Sequence, residues 1–279
     1  MPDDRRALVL GGGGVTGVAW EIGLVHGLAE RGLDLSTADL FVGTSAGSVV
    51  AAQMTSGVPL ESLFAAQVAD ASGEIAATLG RGVVARFVIA SVVPGDRRRG
   101  RAWLGRASLR ARTVPEADRR AVIAHRVRHD EWPEQRLLVP AVDALTGEVV
   151  VFDRQSGVSL IDAVAASCAV PLVWPPMTVG GRRYIDGGVR TIANVDLARG
   201  YGRVVVVAPM VAALRRADRP HAQAAALGPG VRSVVVSPDP AATAAIGRNP
   251  LDPARRAAAA RAGRAQAGAM VDRIRKVWS

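Results

Sequence analysis

Cysteine and lysine are nearly absent from this 279-residue sequence, in which Cys168 and Lys276 are the only examples. A single cysteine excludes an intrachain disulfide and is typical of proteins kept in a reducing compartment. No stretch approaches the roughly 18 uninterrupted apolar residues that a membrane-spanning helix requires. The first residues do not resemble a secretory signal, because two acids precede Arg5 and Arg6 and only a short apolar run follows. We therefore expect a cytoplasmic protein that is at most peripheral to a membrane.

Aromatic residues are also scarce, at 4% of the chain, whereas positive charge is in excess. The formal net charge is +10, and arginine supplies nearly all of it. Because nucleic-acid-binding surfaces usually combine basic residues with exposed aromatic ones, we expect no nucleic-acid partner. Residues 94–136 hold 12 arginines and 6 acids. This surplus leaves two interpretations open: transient contact with an anionic membrane surface, or a solvated face without a partner.

The first sixty residues predict the order strand, loop, helix twice in succession. Short apolar runs at 6–10 and 39–43 indicate buried strands, and the segments 15–30 and 44–57 that follow them have helical periodicity. This order is typical of a parallel sheet whose strands are joined by right-handed helical crossovers. We expect one α/β domain over residues 1–279.

Residues 60–135 interrupt this pattern, because they are helix-prone and rich in arginine. We interpret them as a helical insertion or cap on a body that spans residues 5–210. The rest of the chain predicts a hairpin, a short helix, three strands and a C-terminal amphipathic helix. In chain order these elements span 136–144 with 148–153, then 159–167, 182–185, 203–208, 232–237 and 253–278.

Four consecutive glycines follow the first predicted strand, and the entropy that they lose on folding requires a reason. Gly12, Gly14 and Gly17 match the G-x-G-x-x-G pattern of dinucleotide-binding folds. Asp34 or Asp39 lies where a ribose-binding acid would stand. A P-loop is excluded, because valine and alanine occupy the positions of its lysine and its hydroxyl residue. On this motif alone, a cofactor-binding oxidoreductase and a tight structural turn both remain open.

A second glycine-containing motif, GTSAG at residues 43–47, also joins an apolar strand to a helix. It has the form G-x-S-x-G of a nucleophile elbow, with Gly43, Ser45 and Gly47 at the three fixed positions. Small residues must flank such a serine because the turn is sharp. The N–H of Ala46 and the positive end of the helix can stabilise negative charge that develops on a substrate. The alternative interpretation is that Ser45 caps the helix.

An elbow serine needs a base, and the sequence offers histidines and one aspartate for that role. In the order serine, acid, histidine, only His221 follows a plausible acid, and its neighbours have the composition of a surface loop. The other histidines, His26, His125 and His129, lie in the first helix or in the insertion. Asp186 stands in an Asp-Gly-Gly turn, which by itself is ordinary turn chemistry.

Three motifs in order resemble the patatin-like phospholipase family: LGGGGVTG at 10–17, GTSAGS at 43–48, and YIDGGV at 184–189 with SCAVPLVWPP before it. The similarity runs through residues 7–57 and 136–208. It implies a three-layer α/β/α fold with a mainly parallel central sheet. It also implies a lipid acyl hydrolase of phospholipase A, lysophospholipase or carboxylesterase type, acting on a lipid or small ester without cofactor or metal.

The resemblance also implies the roles of the site residues. The serine of the elbow would be the nucleophile that forms an acyl-enzyme, and the aspartate of the third motif would accept its proton without a histidine. Backbone N–H groups of the glycine loop would form the oxyanion hole. The implied site consists of Ser45 and Asp186, with Gly187 and Gly188 completing the Asp-Gly-Gly motif, and Gly12, Gly13, Gly14 and Ala46 forming the oxyanion hole.

One residue departs from the family pattern, since Thr16 stands where the loop usually carries Arg or Lys. Backbone donors survive that change, so we expect the oxyanion hole to form without the positive charge. An apolar acyl groove is also expected, with Phe87, Ile89 and Trp103 of the insertion in its wall. Three rival functions remain: a cofactor-binding oxidoreductase, a catalytically weak protein that binds lipid surfaces, and a Ser–His–Asp hydrolase that uses His221.

Overall fold

The computed structural model describes residues 3–69, 74–92 and 96–279, and within these ranges eight strands form one sheet. The strands are β1 (Asp3–Leu10), β2 (Leu40–Gly43), β3 (Arg136–Asp143), β4 (Val149–Phe152), β5 (Met177–Val179), β6 (Arg182–Asp186), β7 (Tyr201–Val207) and β8 (Arg232–Val236). Their order is β5-β6-β3-β2-β1-β7-β8, and β4 also pairs with β3. Parallel pairing joins β3, β2, β1, β7 and β8, whereas β4, β5 and β6 pair antiparallel. The predicted mainly parallel sheet is confirmed.

Ten α-helices accompany the sheet in the described part of the chain. They are α1 (Gly14–Ala29), α2 (Ala46–Met54), α3 (Leu60–Val68), α4 (Arg81–Val92), α5 (Arg97–Leu109), α6 (Glu116–Val127), α7 (Leu160–Ser167), α8 (Pro220–Ala225), α9 (Pro240–Ile246) and α10 (Arg256–Trp278). The β3–β4 hairpin, α7 and α10 lie within a few residues of their predicted positions.

Helices cover both faces of the sheet, which gives the predicted three-layer α/β/α arrangement. Alternate residues of a strand point to opposite faces. Leu8 and Leu10 of β1 belong to the larger apolar core, which α1, α2, α7 and α10 close. Ala7 and Val9 belong to a second core on the other face, which includes Ala224 of α8. Both faces of β1 are therefore buried, as is typical of a central parallel strand.

The described residues between 60 and 135 include the four helices α3 to α6, which differ in how they pack. Leu63 of α3 and Ile123 of α6 are buried in the larger core, so these two helices belong to the body. The helix α4 instead exposes Val84, Val88 and Ile89. Among the helices of the described ranges, none combines the length and the hydropathy needed to cross a bilayer.

The C-terminal helix α10 packs closely against α1 through glycines on both helices. A Cβ added at Gly23 would lie 2.0 Å from the carbonyl oxygen of Ala260, and one added at Gly263 would lie 2.2 Å from that of Trp20. No side chain fits at either position without moving a backbone. Ile274 on the apolar face of α10 is fully buried, as the amphipathic pattern predicts. This packing fixes the direction of α1, which begins in the glycine loop.

The strand β3 brings two distant segments together at the carboxyl end of β2. Leu138 pairs in parallel with Val42, and Ala141, further along β3, pairs antiparallel with Asp186. The end of β6 therefore lies level with the residues that follow β2, where Ser45 stands.

Candidate active site

Ser45 lies in the turn between β2 and α2, in a backbone conformation that residues with side chains rarely adopt. Its φ is 51° and its ψ is −117°, a combination that costs about 1–3 kcal/mol in a residue other than glycine. Its neighbours must be small, because a Cβ at Gly43 would lie 2.6 Å from the Cα of Ser48. A Cβ at Gly47 would lie 2.1 Å from the carbonyl oxygen of Leu10. The sharp turn predicted from G-x-S-x-G is present.

Hydrogen bonds hold the strained backbone of Ser45 in place. Its N–H donates to Oγ of Ser167 at 3.0 Å. Its carbonyl oxygen accepts from Oγ of Ser48 at 2.6 Å and from Sγ of Cys168 at 3.2 Å. Burial raises the pKa of Cys168 to about 11, so the sulfur stays protonated and can donate. The side chain of Ser45 makes no capping bond to α2, so the interpretation of Ser45 as a mere helix cap is wrong.

Replacing Ser45 with glycine is expected to give a more stable protein than replacing it with alanine. Both changes remove the hydroxyl, but only alanine keeps a Cβ at positive φ, which costs about 1–3 kcal/mol. Glycine loses about 0.5–1 kcal/mol more entropy on folding. We therefore expect the free energy of unfolding of Ser45→Gly to exceed that of Ser45→Ala by about 1 kcal/mol in urea denaturation. An alanine variant as stable as the glycine variant would show that the turn is not strained.

The hydroxyl of Ser45 lies close enough to the carboxyl of Asp186 to lower its pKa. Asp186 ends β6 and is only 5% exposed. Its N–H donates to the carbonyl of Ala169 at 3.0 Å, and its Oδ1 accepts from the N–H of Gly188 at 2.7 Å. Burial raises the pKa of Asp186 to about 6, although the nearby Ser45 hydroxyl, the hydrogen bond from Gly188 and the charge of Arg119 act to lower it. The structure thus brings the predicted nucleophile and base together.

A buried asparagine that the sequence analysis missed connects the two strand ends. Nδ2 of Asn194 lies 3.0 Å from Oγ1 of Thr44 and 3.3 Å from the carbonyl oxygen of Gly187. These contacts link the residue before Ser45 to the residue after Asp186. The asparagine itself is in the left-handed region, with φ 52° and ψ 41°, which asparagine tolerates better than most residues. Nothing in its local sequence signals this role, because both partners are distant in the chain.

Some backbone N–H groups near the elbow donate to a protein acceptor, and others do not. The N–H of Gly12 donates to the carbonyl of Ile192 at 2.8 Å, so Gly12 is not a free donor, contrary to the prediction. Within the described ranges, the N–H groups of Gly13, Gly14 and Ala46 have no protein acceptor. Gly14 and Ala46 are the first residues of α1 and α2, whose N-terminal ends carry partial positive charge. Two helix ends therefore present unused donors beside the elbow.

Thr16 has a structural role at the position where the family pattern has a charge. It is buried, and its N–H and its Oγ1 each donate to the carbonyl of Pro250 at 3.1 Å. Gly14, with φ +64°, approaches the same carbonyl, and a Cβ there would lie 2.5 Å from the oxygen. The glycine loop is thereby held against the Pro250 segment by neutral groups alone.

A cavity of about 20 Å³ lies beside Ser45 and has room for about one water molecule. Its apolar walls include Val15, Val170, Trp174 and Leu251. An acyl chain needs a much larger space, so these walls must move apart before a lipid can enter. The predicted acyl groove is therefore not open beside Ser45 in the part of the chain that the structure describes.

The prediction of which residues form the wall of that groove is wrong. Phe87, Ile89 and Trp103 do not line the cavity. Ile89 and Trp103 are 48% and 36% exposed. Helical periodicity determines which residues share a face, whereas tertiary packing determines where that face points.

The rival site residues have other places and other partners. His221 is exposed on α8 and lines a separate cavity with Arg216 and Arg219, and that cavity does not include Ser45. A Ser–His–Asp arrangement through His221 is thus not supported.

The acids proposed for a ribose each accept a hydrogen bond from a backbone N–H of the protein. Asp34 accepts from the N–H of Ser36 at 2.8 Å, and Asp39 accepts from the N–H of Arg6 at 2.7 Å. With the N–H of Gly12 also engaged, the dinucleotide interpretation is not favoured. No group of three or more His, Cys, Asp or Glu residues suited to a metal ion occurs within the ranges that the structure describes.

A protein-family model and several solved structures resemble this chain. A family model described as patatin-like phospholipase matches residues 8–199. The chain is similar to VipD from Legionella pneumophila, with 15% identity and a TM-score of 0.48 over 97% of this chain and 67% of VipD. It is also similar to the type III effector protein ExoU, with 17% identity and a TM-score of 0.41 over 98% of this chain and 54% of ExoU, so it spans about half of that protein. Because the family model matches well over half of its residues, the chain belongs to the patatin-like phospholipase family.

Proposed function

We propose that the protein hydrolyses carboxylic esters of lipids, with Ser45 as the nucleophile and Asp186 as the base. Membership of the family implies lipid acyl hydrolase activity. The observation that supports these roles most is the burial of the Asp186 carboxyl beside the hydroxyl of Ser45, which acts on its pKa, at the N-terminus of α2. A serine with a base in hydrogen-bond contact is the arrangement that acyl transfer requires.

In the acylation step, Oγ of Ser45 attacks the ester carbonyl while Asp186 accepts its proton. The carbonyl oxygen becomes a tetrahedral oxyanion, which the free N–H groups of Gly13, Gly14 and Ala46 can stabilise. The intermediate collapses, the bond to the alcohol breaks, and the leaving oxygen takes the proton from Asp186. An acyl-enzyme on Ser45 remains, and the alcohol or lysolipid departs.

Deacylation repeats the same steps with water as the nucleophile. Asp186 accepts a proton from the water as its oxygen attacks the acyl carbonyl. The second tetrahedral intermediate expels Oγ of Ser45, which recovers its proton from Asp186, and the fatty acid leaves. Each half-reaction returns the carboxylate to its starting state.

An aspartate in water, with a pKa near 3.9, is a weak base at neutral pH. Burial of Asp186 raises its pKa to about 6, which brings its proton affinity closer to the value that suits catalysis near neutral pH. The pKa remains below 7, so the carboxylate stays ionised and able to accept a proton.

The rate is expected to follow the ionisation of this carboxylate. Since only the deprotonated form is a base, kcat/KM for p-nitrophenyl butyrate should rise with pH, with a midpoint near pH 6, and level off above it. Initial rates in constant-ionic-strength buffers, corrected for spontaneous hydrolysis, give the profile. A rate that falls as pH rises through 6 would exclude a carboxylate base.

The proposed function is tested by release of fatty acid from a monoacylglycerol and from a lysophospholipid with the same acyl chain. We expect release of fatty acid in stoichiometric amounts with the alcohol, without added metal or cofactor. Binding of lipid vesicles with no release of fatty acid would contradict the proposal and would favour the rival interpretation as a lipid-surface binding protein.

A further inference from the structure

Arg119 of α6 is a buried cation, and two of its three guanidinium nitrogens lack hydrogen-bond partners among the described residues. It is 4% exposed, and its guanidinium lies over the ring of Trp174 at 4.1 Å. Its Nε and Nη1 are buried and have no hydrogen-bond partner in the described part of the chain. Burial lowers the pKa of Arg119 to about 10, so the side chain still carries its charge at neutral pH. Burying an ion without satisfied donors costs several kcal/mol, which requires a compensating reason.

The neighbouring arginines do have acceptors. Arg126, on the same helix, donates from Nε to the Glu74 carboxylate at 3.1 Å. Arg256 donates to the carbonyl of Ala66 at 2.8 Å and to the side-chain oxygen of Gln67 at 3.3 Å. Arg119 therefore differs from them in having donors left over.

The local charge around Arg119 is positive. Glu74 lies within electrostatic range of Arg119, Arg126 and Arg256 and can neutralise one of these three charges. Asp186 also acts on Arg119, but only through space, since no hydrogen bond joins them in the described residues. A cluster with a surplus of positive charge and low exposure attracts an anion.

Arg119 also lines the cavity that contains Ser45. A group bound by its free N–H donors would therefore lie next to an ester placed at the nucleophile. The guanidinium is a preferred partner of phosphate and carboxylate oxygens, and charge-assisted hydrogen bonds to it are stronger than neutral ones.

We infer that Arg119 binds the phosphate of a lysophospholipid or glycerophospholipid whose acyl ester lies at Ser45, an inference that rests on the proposed hydrolysis. The unused Nε and Nη1 donors receive the phosphate oxygens, and Trp174 packs against the guanidinium. Arg119 then makes the enzyme favour phosphate-bearing esters over neutral ones.

The test compares two substrates with the same short acyl chain, a lysophosphatidylglycerol and a monoacylglycerol, both kept below their micelle concentrations. The measured quantity is the ratio of their kcat/KM values. Arg119→Gln should lower this ratio about 10- to 100-fold, mainly through a higher KM for the lysophospholipid. An effect of Arg119 on the pKa of Asp186 would change both substrates alike and cancel in the ratio. Arg119→Lys, which keeps the charge, should restore part of the preference.

The control is Arg120→Gln, which removes the next guanidinium on the same helix. Arg120 is paired with Asp162 at 2.7 Å and does not line the cavity, so the substrate ratio should be unchanged. Equal losses on both substrates in Arg119→Gln would overturn the inference and leave Arg119 as a structural residue.

Binding measurements separate this inference from the proposed catalysis. In a Ser45→Ala background, calorimetric titration with the lysophosphatidylglycerol should show about 10-fold or greater loss of affinity on adding Arg119→Gln. If the wild type bound this lipid through Arg119 but released no fatty acid, the proposed function would fail while the inference stood. Unchanged affinity would overturn the inference even in an active enzyme. Competition by inorganic phosphate, without any preference for the lysophospholipid, would assign Arg119 to free phosphate and overturn the lipid assignment.

The melting temperature gives a second test, because burying the charge of Arg119 costs stability. Arg119→Met fills similar space and removes the unsatisfied donors, so its melting temperature should equal or exceed that of the wild type. A large fall in melting temperature, together with an unchanged substrate ratio, would show that Arg119 serves the fold instead of a ligand.

Discussion

Ser45→Ala is expected to lower kcat for ester hydrolysis about 10⁴- to 10⁶-fold, to near the background rate. The variant keeps the free N–H donors of Gly13, Gly14 and Ala46, but it has no oxygen to form an acyl-enzyme. Residual activity would then come only from binding and from stabilisation of an oxyanion formed by direct attack of water. Hydrolysis of p-nitrophenyl butyrate by highly purified protein measures the loss.

The control for this experiment is Ser156→Ala, in the exposed turn after β4. It removes a serine hydroxyl from a part of the surface that does not line the cavity, so its kcat should match the wild type. Thermal unfolding of all variants shows that they are folded. A Ser45→Ala variant within ten-fold of the wild type would rule out Ser45 as the nucleophile.

Asp186→Asn is expected to lower kcat about 10³- to 10⁴-fold. Asparagine has nearly the same shape, and its carbonyl oxygen can still accept the N–H of Gly188, but it cannot take a proton from Ser45. The rise in rate with a midpoint near pH 6 should therefore disappear along with most of the activity. A variant that retains that pH dependence would place the titrating group elsewhere.

The same substitution should stabilise the protein at alkaline pH. The pKa of Asp186 is raised from an unfolded value of 3.8 to about 6, so the folded state favours the protonated form. The stability linked to that proton is fully present below pH 3.8 and is lost as the pH rises through 6. Asparagine stays neutral at every pH. At pH 8 the free energy of unfolding of Asp186→Asn should therefore exceed that of the wild type by about 2–3 kcal/mol. A less stable variant at pH 8 would contradict the burial of an ionised carboxylate.

The elbow could be predicted from sequence because its short motif carries most of its constraints. Gly43 is required by the backbone of Ser48 in the helix that follows, and the positive φ of Ser45 belongs to the same turn. Gly47 is required by the carbonyl of Leu10 in the neighbouring strand β1. The pairing of that serine with Asp186 was available only through the order of three motifs. An Asp-Gly-Gly turn alone does not show which strand lies beside it, whereas the register of β3 with β6 does.

The sequence did not predict the hydrogen bonds that join residues far apart in the chain. The N–H of Gly12 is consumed by the carbonyl of Ile192, and Asn194 connects Thr44 to Gly187. These contacts join parts of the chain that no local pattern relates.

Arg119 was likewise hidden among the 12 arginines of residues 94–136. Composition suggested a solvated or membrane-facing surface for that segment as a whole. Arg119 is buried because α6 packs into the larger core and turns this side chain, like that of Arg126, toward the cavity.

The central claim, that Asp186 activates Ser45 for covalent catalysis, is tested most directly by labelling with a fluorophosphonate and locating the label by mass spectrometry. Wild-type protein should be labelled at Ser45 alone, at a rate that rises with a midpoint near pH 6. Asp186→Asn should be labelled at least about 100-fold more slowly at neutral pH. Label on another residue, or equal labelling rates in the two proteins, would contradict the claim.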